Sequence, residues 1–247
     1  MEESLDFSGF TFYYDRVVTL DASSPKSTFF NLPADKQQRV IDVAVQEFSE
    51  RGYQQASINS MVSRLNIAKG SIYQYFENKK GLFLFIFDQA ISLVRKRLKA
   101  VKKNTEGEDF FLRIRKSLLA GKEFIDKHPA LYRVYLRILF ERDSPLREDL
   151  LQTIRLFSHE YLAALLEEGQ NRGEVRKELD PKMAVFVVDA ILDRFLQVYA
   201  LPHLDPDLNL QNPLDIETKI DRIVDLLREG LSGISDCGLQ IEKSAEY

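Results

Sequence analysis

The chain has 247 residues, of which 45% are hydrophobic and 29% charged, a balance that excludes an intrinsically disordered chain and a membrane-embedded protein. Its single cysteine, Cys237, excludes an intramolecular disulfide and a cysteine-built metal site, which favours a reducing compartment. The N-terminus lacks the basic and apolar regions of a secretory signal, and no apolar stretch is long enough to span a bilayer. We therefore expect a cytoplasmic protein without membrane contact.

The net charge of −4 conceals a local asymmetry. Residues 33–103 carry 13 Lys and Arg against 6 Asp and Glu, whereas residues 1–32 and 104–247 are acidic. A cationic module on an acidic chain indicates a polyanionic partner, because phosphate neutralisation requires clustered Lys and Arg. A solvated basic helix face is the alternative on charge alone.

The first 32 residues form a leader that differs from the rest of the chain. Residues 10–20 are rich in aromatic and β-branched side chains, which is compatible with an extended, strand-like arm. Because the leader is net negative, we do not expect it to contact DNA. We expect it to pack on its own subunit or a partner subunit, or to be partly disordered.

Helical periodicity begins near Pro33 and continues nearly to the end of the chain, without strand-like alternation. Gly52 is expected to end the first helix, and Ser57 to cap a second, amphipathic helix. Asn66 then supplies the left-handed conformation that a tight turn between helices requires. The sequence predicts an all-α protein.

A very short helix follows at about 68–76, and Asn78 is expected to cap a longer helix that ends in the basic stretch RKRLKAVKK. Turn residues separate the helices predicted further along the chain, which lie at about 108–127, 130–142, 146–170, 181–200 and 215–232.

The segment SINSMVSRLNIAKGSIYQYFENKKGLF meets the requirements of a helix-turn-helix. In that motif one short helix enters the major groove of DNA while a second crosses the backbone and sets its angle. The apolar side chains expected to hold the two helices together are Ile58, Met61, Val62, Leu65, Ile67, Ile72 and Phe76.

The remaining side chains of the short helix are predicted to face DNA. Hydroxyl and cationic groups suit phosphates, and long polar groups reach base edges. We assign phosphate contacts to Lys69, Ser71 and Tyr73, and base contacts to Gln74 and Tyr75.

Three further positions complete the predicted DNA-binding set. Gly70 lowers helix propensity, which implies a close approach of a DNA backbone or a neighbouring helix. Ser57, at a helix N-terminus, offers backbone amides and a hydroxyl to a phosphate. Lys79 is unfavourable for the dipole at the start of its helix, and a bound phosphate would compensate.

On these residues the chain resembles the TetR/AcrR family of transcription regulators. Members typically show a turn residue, an aliphatic residue, a small residue and then K-G-[ST]-[LI]-Y-x-[YH]-F-x-[SN]-K-x-x-L. This chain reads NIAKGSIYQYFENK from Asn66 to Lys79, followed by Leu82, and the resemblance extends over residues 33–87. Asn66 replaces the common turn glycine, and Ala68 replaces a frequent serine, so no hydroxyl contact is expected at Ala68.

The resemblance implies a helical ligand-binding and dimerisation domain after the DNA-binding domain. The predicted organisation is a leader or arm at 1–32, the helix-turn-helix domain at 33–80, a connecting helix at 81–103, the ligand and dimer domain at 104–235 and a tail at 236–247. An apolar cavity with a few polar groups is the usual ligand site. The candidate ligand-binding residues are Tyr132, Tyr135, Phe157, Tyr161, Phe186 and Asp189.

In the family, the last two long helices usually pair with their copies in a partner. One recognition helix reads only a few base pairs, so useful affinity comes from two half-sites bound by a two-fold dimer. We therefore expect a homodimer on a palindromic operator of double-stranded DNA. The candidate interface residues, for which packing in the monomer core is the alternative, are Phe195, Ile220, Val224 and Leu227.

Catalytic residues, metal ligands and cofactor motifs are not found. The three histidines are scattered, and no phosphate-binding, dinucleotide-binding or zinc-protease motif occurs. We predict a transcription regulator, as a family expectation a repressor, that a small and largely apolar effector releases from DNA. The alternatives are a DNA-binding protein of this fold without a small-molecule ligand, and a helical enzyme with a motif-like segment.

Overall fold

A computed structural model describes residues 25–141 and 147–232, in which helices are joined by turns and loops and one isolated β-bridge links Val175 and Ser232. The predicted all-α class is confirmed. None of the described helices is long and apolar enough to cross a membrane. The helices are α1 Ser27–Phe30, α2 Ala34–Gln55, α3 Ile58–Leu65, α4 Lys69–Tyr75, α5 Lys79–Asn104, α6 Phe110–Lys127, α7 Pro129–Phe140, α8 Arg147–Asn171, α9 Pro181–Ala200 and α10 Ile216–Leu231.

Side-chain caps fix several helix starts. Asn78 Oδ1 accepts from Gly81 N (3.0 Å), as the sequence predicted, and Asp180 Oδ1 accepts from Met183 N (2.7 Å). Asn66 adopts the left-handed conformation (φ 54°, ψ 48°) expected of it and ends α3. Local polar chemistry therefore defines these boundaries.

The end of α2 differs from the prediction. Gly52, expected to end the helix, interrupts it instead, with φ 68° and ψ 173°, and one further turn continues to Gln55. A side chain at Gly52 would be strained by this positive φ. The glycine therefore allows the kink within α2.

Helix α1 was not predicted, because residues 25–32 were included in the leader. Phe29 is fully buried against Phe76 and Phe85, at ring-centroid distances of 5.0 and 5.5 Å. This segment therefore packs on the predicted helix-turn-helix and on the start of α5. The strand-like arm predicted at 10–20 and the tail with Cys237 lie outside the described residues.

One continuous core joins the two functional halves of the chain. The first turns of α5, residues 81–87, are buried, with Phe83 against Phe48 of α2 and Phe85 against Phe29 of α1, and α5 also packs on α6. Helix α8 packs along α9, α10 packs on α6, and α7 contacts α2. Helices α5 and α7 therefore connect the N-terminal and C-terminal helices.

Candidate DNA-binding surface and ligand cavity

Helices α3 and α4 form the predicted helix-turn-helix. The apolar residues expected to join them are buried, with Ile72 and Phe76 each only 1% exposed, and Ile67 is partly buried against the same core. Because α4 has only seven residues, its stability comes from this packing rather than from its own hydrogen bonds. Ile72 and Phe76 therefore hold α4 in place, as predicted.

The opposite face of α4 is open. Lys69, Gly70, Tyr73 and Gln74 are exposed, and Ser71 is half-buried. The side chain of Lys69 makes no hydrogen bond or ion pair within the described residues. A cationic and polar face of this kind can contact phosphates and base edges.

Gly70 has space around it. A Cβ placed there would meet no atom within 4 Å, and its φ is not in the left-handed region. Among the described residues no neighbouring helix approaches Gly70 closely. Close approach of a DNA backbone stays a prediction.

Tyr75 is less exposed than the sequence suggested. Its ring is half-buried and lies 6.1 Å from the ring of Phe29, so part of it belongs to the packing between α1 and α4. Gln74 is consequently the better placed of the two residues proposed to read bases.

A buried carboxylate that the sequence reasoning missed organises the start of α3. Glu47 is 0% exposed, and its Oε1 accepts from the backbone amide of Ser57 (3.0 Å) while its Oε2 accepts from the hydroxyl of Ser60 (2.7 Å). Arg51 and Arg64 lie 3.5 and 3.6 Å from its oxygens. An acidic residue on the apolar face of α2 was the sequence feature that marked it.

This arrangement corrects two expectations for Ser57. Its side chain makes no capping hydrogen bond, because Glu47 caps α3 from a neighbouring helix. Its amide donates to Glu47 and so is not free for a phosphate. Only the half-buried hydroxyl is left as a possible DNA contact.

The structure gives Lys79 an intramolecular role. Its ammonium donates to the carbonyls of Tyr53 (2.8 Å), Gln54 (3.1 Å) and Ala56 (3.1 Å), and it lies 4.7 Å from the ring centroid of Tyr53. Burial lowers the pKa of Lys79. All three donors are used at the C-terminal end of α2, so we no longer assign Lys79 to a phosphate.

Lys26 and Thr28, just before and within α1, cap the C-terminus of α4. Lys26 Nζ donates to the carbonyl of Tyr73 (2.7 Å), and the backbone amide of Lys26 donates to that of Tyr75 (2.8 Å). Thr28 Oγ1 donates to the carbonyl of Gln74. These carbonyls have no partners inside the helix, and a lysine there also complements the helix dipole. The segment thus fixes the orientation of α4.

A cavity of about 230 Å³ lies between α5, α6, α7, α8 and α9. Most of the side chains that line it are apolar, among them Ile91, Val94, Phe124 and Leu192. Five of the six predicted ligand residues line it, namely Tyr132, Tyr135, Phe157, Tyr161 and Asp189. Such a cavity suits a small, largely apolar molecule.

Polar groups occupy two sides of this cavity. Ser117 Oγ and Tyr161 OH are 2.8 Å apart on one side. On another, Tyr135 OH donates to Asp193 (2.8 Å), and Arg155 bonds both Asp193 (2.9 Å) and Asp189. Burial would lower the pKa of Arg155, but the two carboxylates raise it, so Arg155 stays charged. The described residues include no cluster that could hold a metal ion.

Two family models match the chain. The model for "Bacterial regulatory proteins, tetR family" covers residues 40–86, and that for "Tetracyclin repressor-like, C-terminal domain" covers residues 105–232. The chain belongs to the TetR family. Members of this family are transcriptional regulators, so this TetR-family protein is not an enzyme.

Characterised relatives of this TetR-family regulator are distant but cover most of its length. It is 27% identical over 183 residues to the probable acrEF/envCD operon repressor of Escherichia coli K12, covering 71% of this chain and 81% of the relative. It is also 27% identical to the fatty acid metabolism regulator protein of Bacillus subtilis over 177 residues, covering 70% and 88%.

Solved structures show the same fold. A TetR-family regulator from Chloroflexus aurantiacus matches with a TM-score of 0.67 and 29% identity, covering 85% of this chain and all of that one. FadR from Bacillus subtilis, solved in complex with stearoyl-CoA, matches with a TM-score of 0.62 and 21% identity, covering 78% and 97%.

Phe186, the sixth predicted ligand residue, lies away from the cavity of this TetR-family fold. It is 66% exposed on α9 and does not line the cavity. Met183 and Val187, which are 61% and 37% exposed, lie beside it at helical spacing and extend an outward apolar stripe. The period of α9 was predicted correctly, but Phe186 was placed on the wrong face.

The four residues predicted to form the dimer interface point into the subunit instead. Phe195, Ile220, Val224 and Leu227 are between 0% and 5% exposed, so they fill the core of the subunit. On α10, the exposed apolar residue is instead Leu226, at 68%. An interface that uses α9 and α10 would therefore involve the exposed residues rather than those predicted.

Proposed function

We propose that this TetR-family protein is a ligand-responsive repressor that binds a palindromic operator as a homodimer in the bacterial cytoplasm. The observation that carries the proposal is the open face of α4, where Lys69, Gly70, Tyr73 and Gln74 are exposed while Ile72 anchors the helix from behind. We assign phosphate contacts to Lys69, Ser71 and Tyr73, and base contacts to Gln74, with Tyr75 at its edge. The E. coli relative, named as a repressor, supports repression rather than activation.

The exposed apolar stripe supports the dimer. Met183, Phe186 and Val187 lie side by side on α9 as exposed apolar side chains, and patches of this kind mark protein interfaces. Leu226 on α10 is a further exposed apolar side chain. A second copy of the chain is the occupant that we propose, since two α4 helices related by a two-fold axis would read two half-sites.

Helix α7 provides a physical connection between the cavity and the DNA-binding helices. Tyr132 and Tyr135 of this helix line the cavity. Two residues further along, Arg137 donates to the carbonyls of Ser49 (2.6 Å) and Glu50 on α2. A ligand that displaces α7 would move α2, and with it the spacing of the two α4 helices.

A ligand would then release the protein from DNA by shifting the equilibrium between two conformations, one with the operator-binding spacing of the α4 helices and one without it. A ligand weakens DNA binding only as far as it binds the DNA-incompetent spacing more tightly, with couplings of about 1 to 3 kcal/mol. The cavity favours this function over that of a regulator of the same fold without a ligand.

Selection of bound duplexes from a random DNA pool tests the proposal. We expect the recovered sequences to contain an inverted repeat, with half-sites separated by about one turn of DNA or a multiple of it, and one or more dimers bound per repeat. Recovery of a single unrepeated half-site would contradict the dimeric mode, and recovery of no preferred sequence would contradict operator binding.

A further inference from the structure

Four charged side chains line the cavity, and they differ in how their charges are balanced. They are Arg97, Arg155, Asp189 and Asp193. Arg97 lies 2.6 Å from Glu123, an exposed acid that also pairs with Lys127. The charge of Arg97 is therefore balanced by a residue outside the cavity lining. The three other charged groups, Arg155, Asp189 and Asp193, lie together at another side of the cavity.

At that side, two carboxylates share one guanidinium. Arg155 Nη1 bonds Asp189, and Arg155 Nη2 bonds Asp193 at 2.9 Å. Asp193 also accepts from Tyr135, whereas Asp189 has no further hydrogen bond within the described residues. The cluster therefore carries a formal charge of −1, and the carboxylates are only 20% and 19% exposed.

A hydroxyl without a partner lies beside this acidic cluster. Tyr132 is 8% exposed and lines the cavity, and its OH forms no hydrogen bond with any of the described residues. Its ring lies 5.4 Å from that of Tyr135, which bonds Asp193. Burial raises the pKa of Tyr132, so the group stays neutral. A buried polar group without a partner destabilises a protein, and a ligand that forms a hydrogen bond with it would reduce that cost.

The two arginines that line the cavity are already paired with carboxylates. Both terminal nitrogens of Arg155 bond carboxylates, and Arg97 is paired with Glu123. Burial, followed by the charges of Arg97 and Lys127, lowers the pKa of His128, which holds this nearby side chain in its neutral form. The net negative charge of the cluster suits a ligand that carries positive charge and donates hydrogen bonds, and the Tyr132 hydroxyl can accept one of them.

We propose that the effector is a lipophilic amine, bound as the ammonium ion. The ammonium group donates to Asp189 and Asp193, Tyr132 OH accepts a further N–H, and the apolar body lies against Ile91, Val94 and Phe124. This inference rests on the ligand-responsive part of the proposed function, and it specifies the chemical class that the cavity selects.

Three probes with one alkyl chain test the inference: decylamine, decanol and decanoate. Calorimetric titration of the full-length protein with each probe, below its micelle concentration, measures the preference for charge. We expect decylamine to bind about ten-fold more tightly than decanol, and decanoate to bind most weakly. Asp189→Asn should abolish the preference for decylamine over decanol, and Tyr132→Phe should weaken decylamine binding about three-fold.

Glu160→Gln is the matched control, because it removes one negative charge from an exposed site on α8 outside the cavity lining. It should leave all three affinities unchanged. Equal or tighter binding of decanoate to the unmodified protein would overturn the inference, as would an unchanged preference in Asp189→Asn.

A parallel titration of DNA separates this inference from the proposed function. If the protein binds its selected duplex but not decylamine, the effector class is wrong and operator binding stands. If decylamine binds in an Asp189-dependent way while the protein binds no duplex, the effector class stands and the regulatory function is wrong.

Discussion

Lys69 and Lys79 lie on neighbouring helices of the DNA-binding region, yet their ammonium groups have different surroundings. The side chain of Lys69 is exposed and makes no hydrogen bond or ion pair within the described residues, whereas that of Lys79 donates to three carbonyls. The first is therefore available to a phosphate, and the second stabilises the junction between α2 and α5.

Substitution of each lysine should separate these roles. Lys69→Ala should weaken DNA binding and lower the slope of log affinity against log salt by about 1 per protomer, since one phosphate contact is lost. Its free energy of unfolding in urea should not change. Lys79→Met should instead lower the free energy of unfolding by about 1 kcal/mol, because three carbonyls lose their donor, and should leave the salt slope unchanged. A lower salt slope in Lys79→Met would restore its role as a phosphate ligand.

The sequence predicted the exposed residues of α4 but not the hydrogen bonds by which Glu47 and Lys79 hold the neighbouring helices in place. The pattern around Ile72 and Phe76 is local and periodic, so it could be read directly. Glu47 acts on Ser57, ten positions away, and Lys79 acts on Tyr53, 26 positions away. Hydrogen bonds between residues so far apart in sequence depend on how the helices pack, which local patterns do not specify.

Among the elements, the four-residue helix α1 has the most direct effect on the DNA-binding surface. Its residues and the preceding Lys26 bond the last three carbonyls of α4, and Phe29 fills the core beneath. A seven-residue helix cannot satisfy its own C-terminal carbonyls, so its orientation depends on these external donors.

Thr28→Val tests this support. The substitution keeps the shape of the side chain but removes the donor to the Gln74 carbonyl. We expect about a three-fold loss of operator affinity, since an exposed hydrogen bond contributes about 0.5 to 1 kcal/mol. Amides of α4 should also exchange faster in hydrogen-exchange measurements.

Ser27→Ala is the control for Thr28→Val, because it removes an exposed hydroxyl from the adjacent position without removing a hydrogen bond to α4. Equal affinities of both variants and the unmodified protein would show that α1 does not support α4.

In helix α9, hydrophobic periodicity predicted the helix but not which of its sides is buried. The sequence predicted this helix over residues 181–200, and Pro181–Ala200 is helical. The helix is apolar on more than one side, with Phe195 buried at 3% exposure and Phe186 open at 66%. Hydrophobicity alone could not tell the side that faces the subunit core from the side that faces outward, so both residues were misplaced.

For the whole molecule, the outward stripe on α9 predicts self-association. Phe186→Glu should convert the proposed dimer to a monomer in sedimentation experiments, because a charge would then replace a large apolar side chain in the interface. The circular dichroism spectrum should not change, since Phe186 makes little contact with its own subunit.

Leu208→Glu offers a comparison, since Leu208 is also exposed, at 43%, but lies outside α9 and α10 in a short 3₁₀ turn. It should leave the dimer intact. A Phe186→Glu protein that sediments as the unmodified protein does would show that the stripe is not the interface.

The central claim is that the exposed face of α4 contacts DNA. Fluorescence-anisotropy titration of the selected duplex with the unmodified protein, Tyr73→Ala and Leu208→Ala tests it most directly. Tyr73 is 40% exposed, so its loss should leave folding and dimerisation intact but weaken binding about ten-fold, or ~1.4 kcal/mol, whereas Leu208→Ala should bind normally. Unchanged affinity in both Tyr73→Ala and Lys69→Ala would contradict the assignment of this surface to DNA.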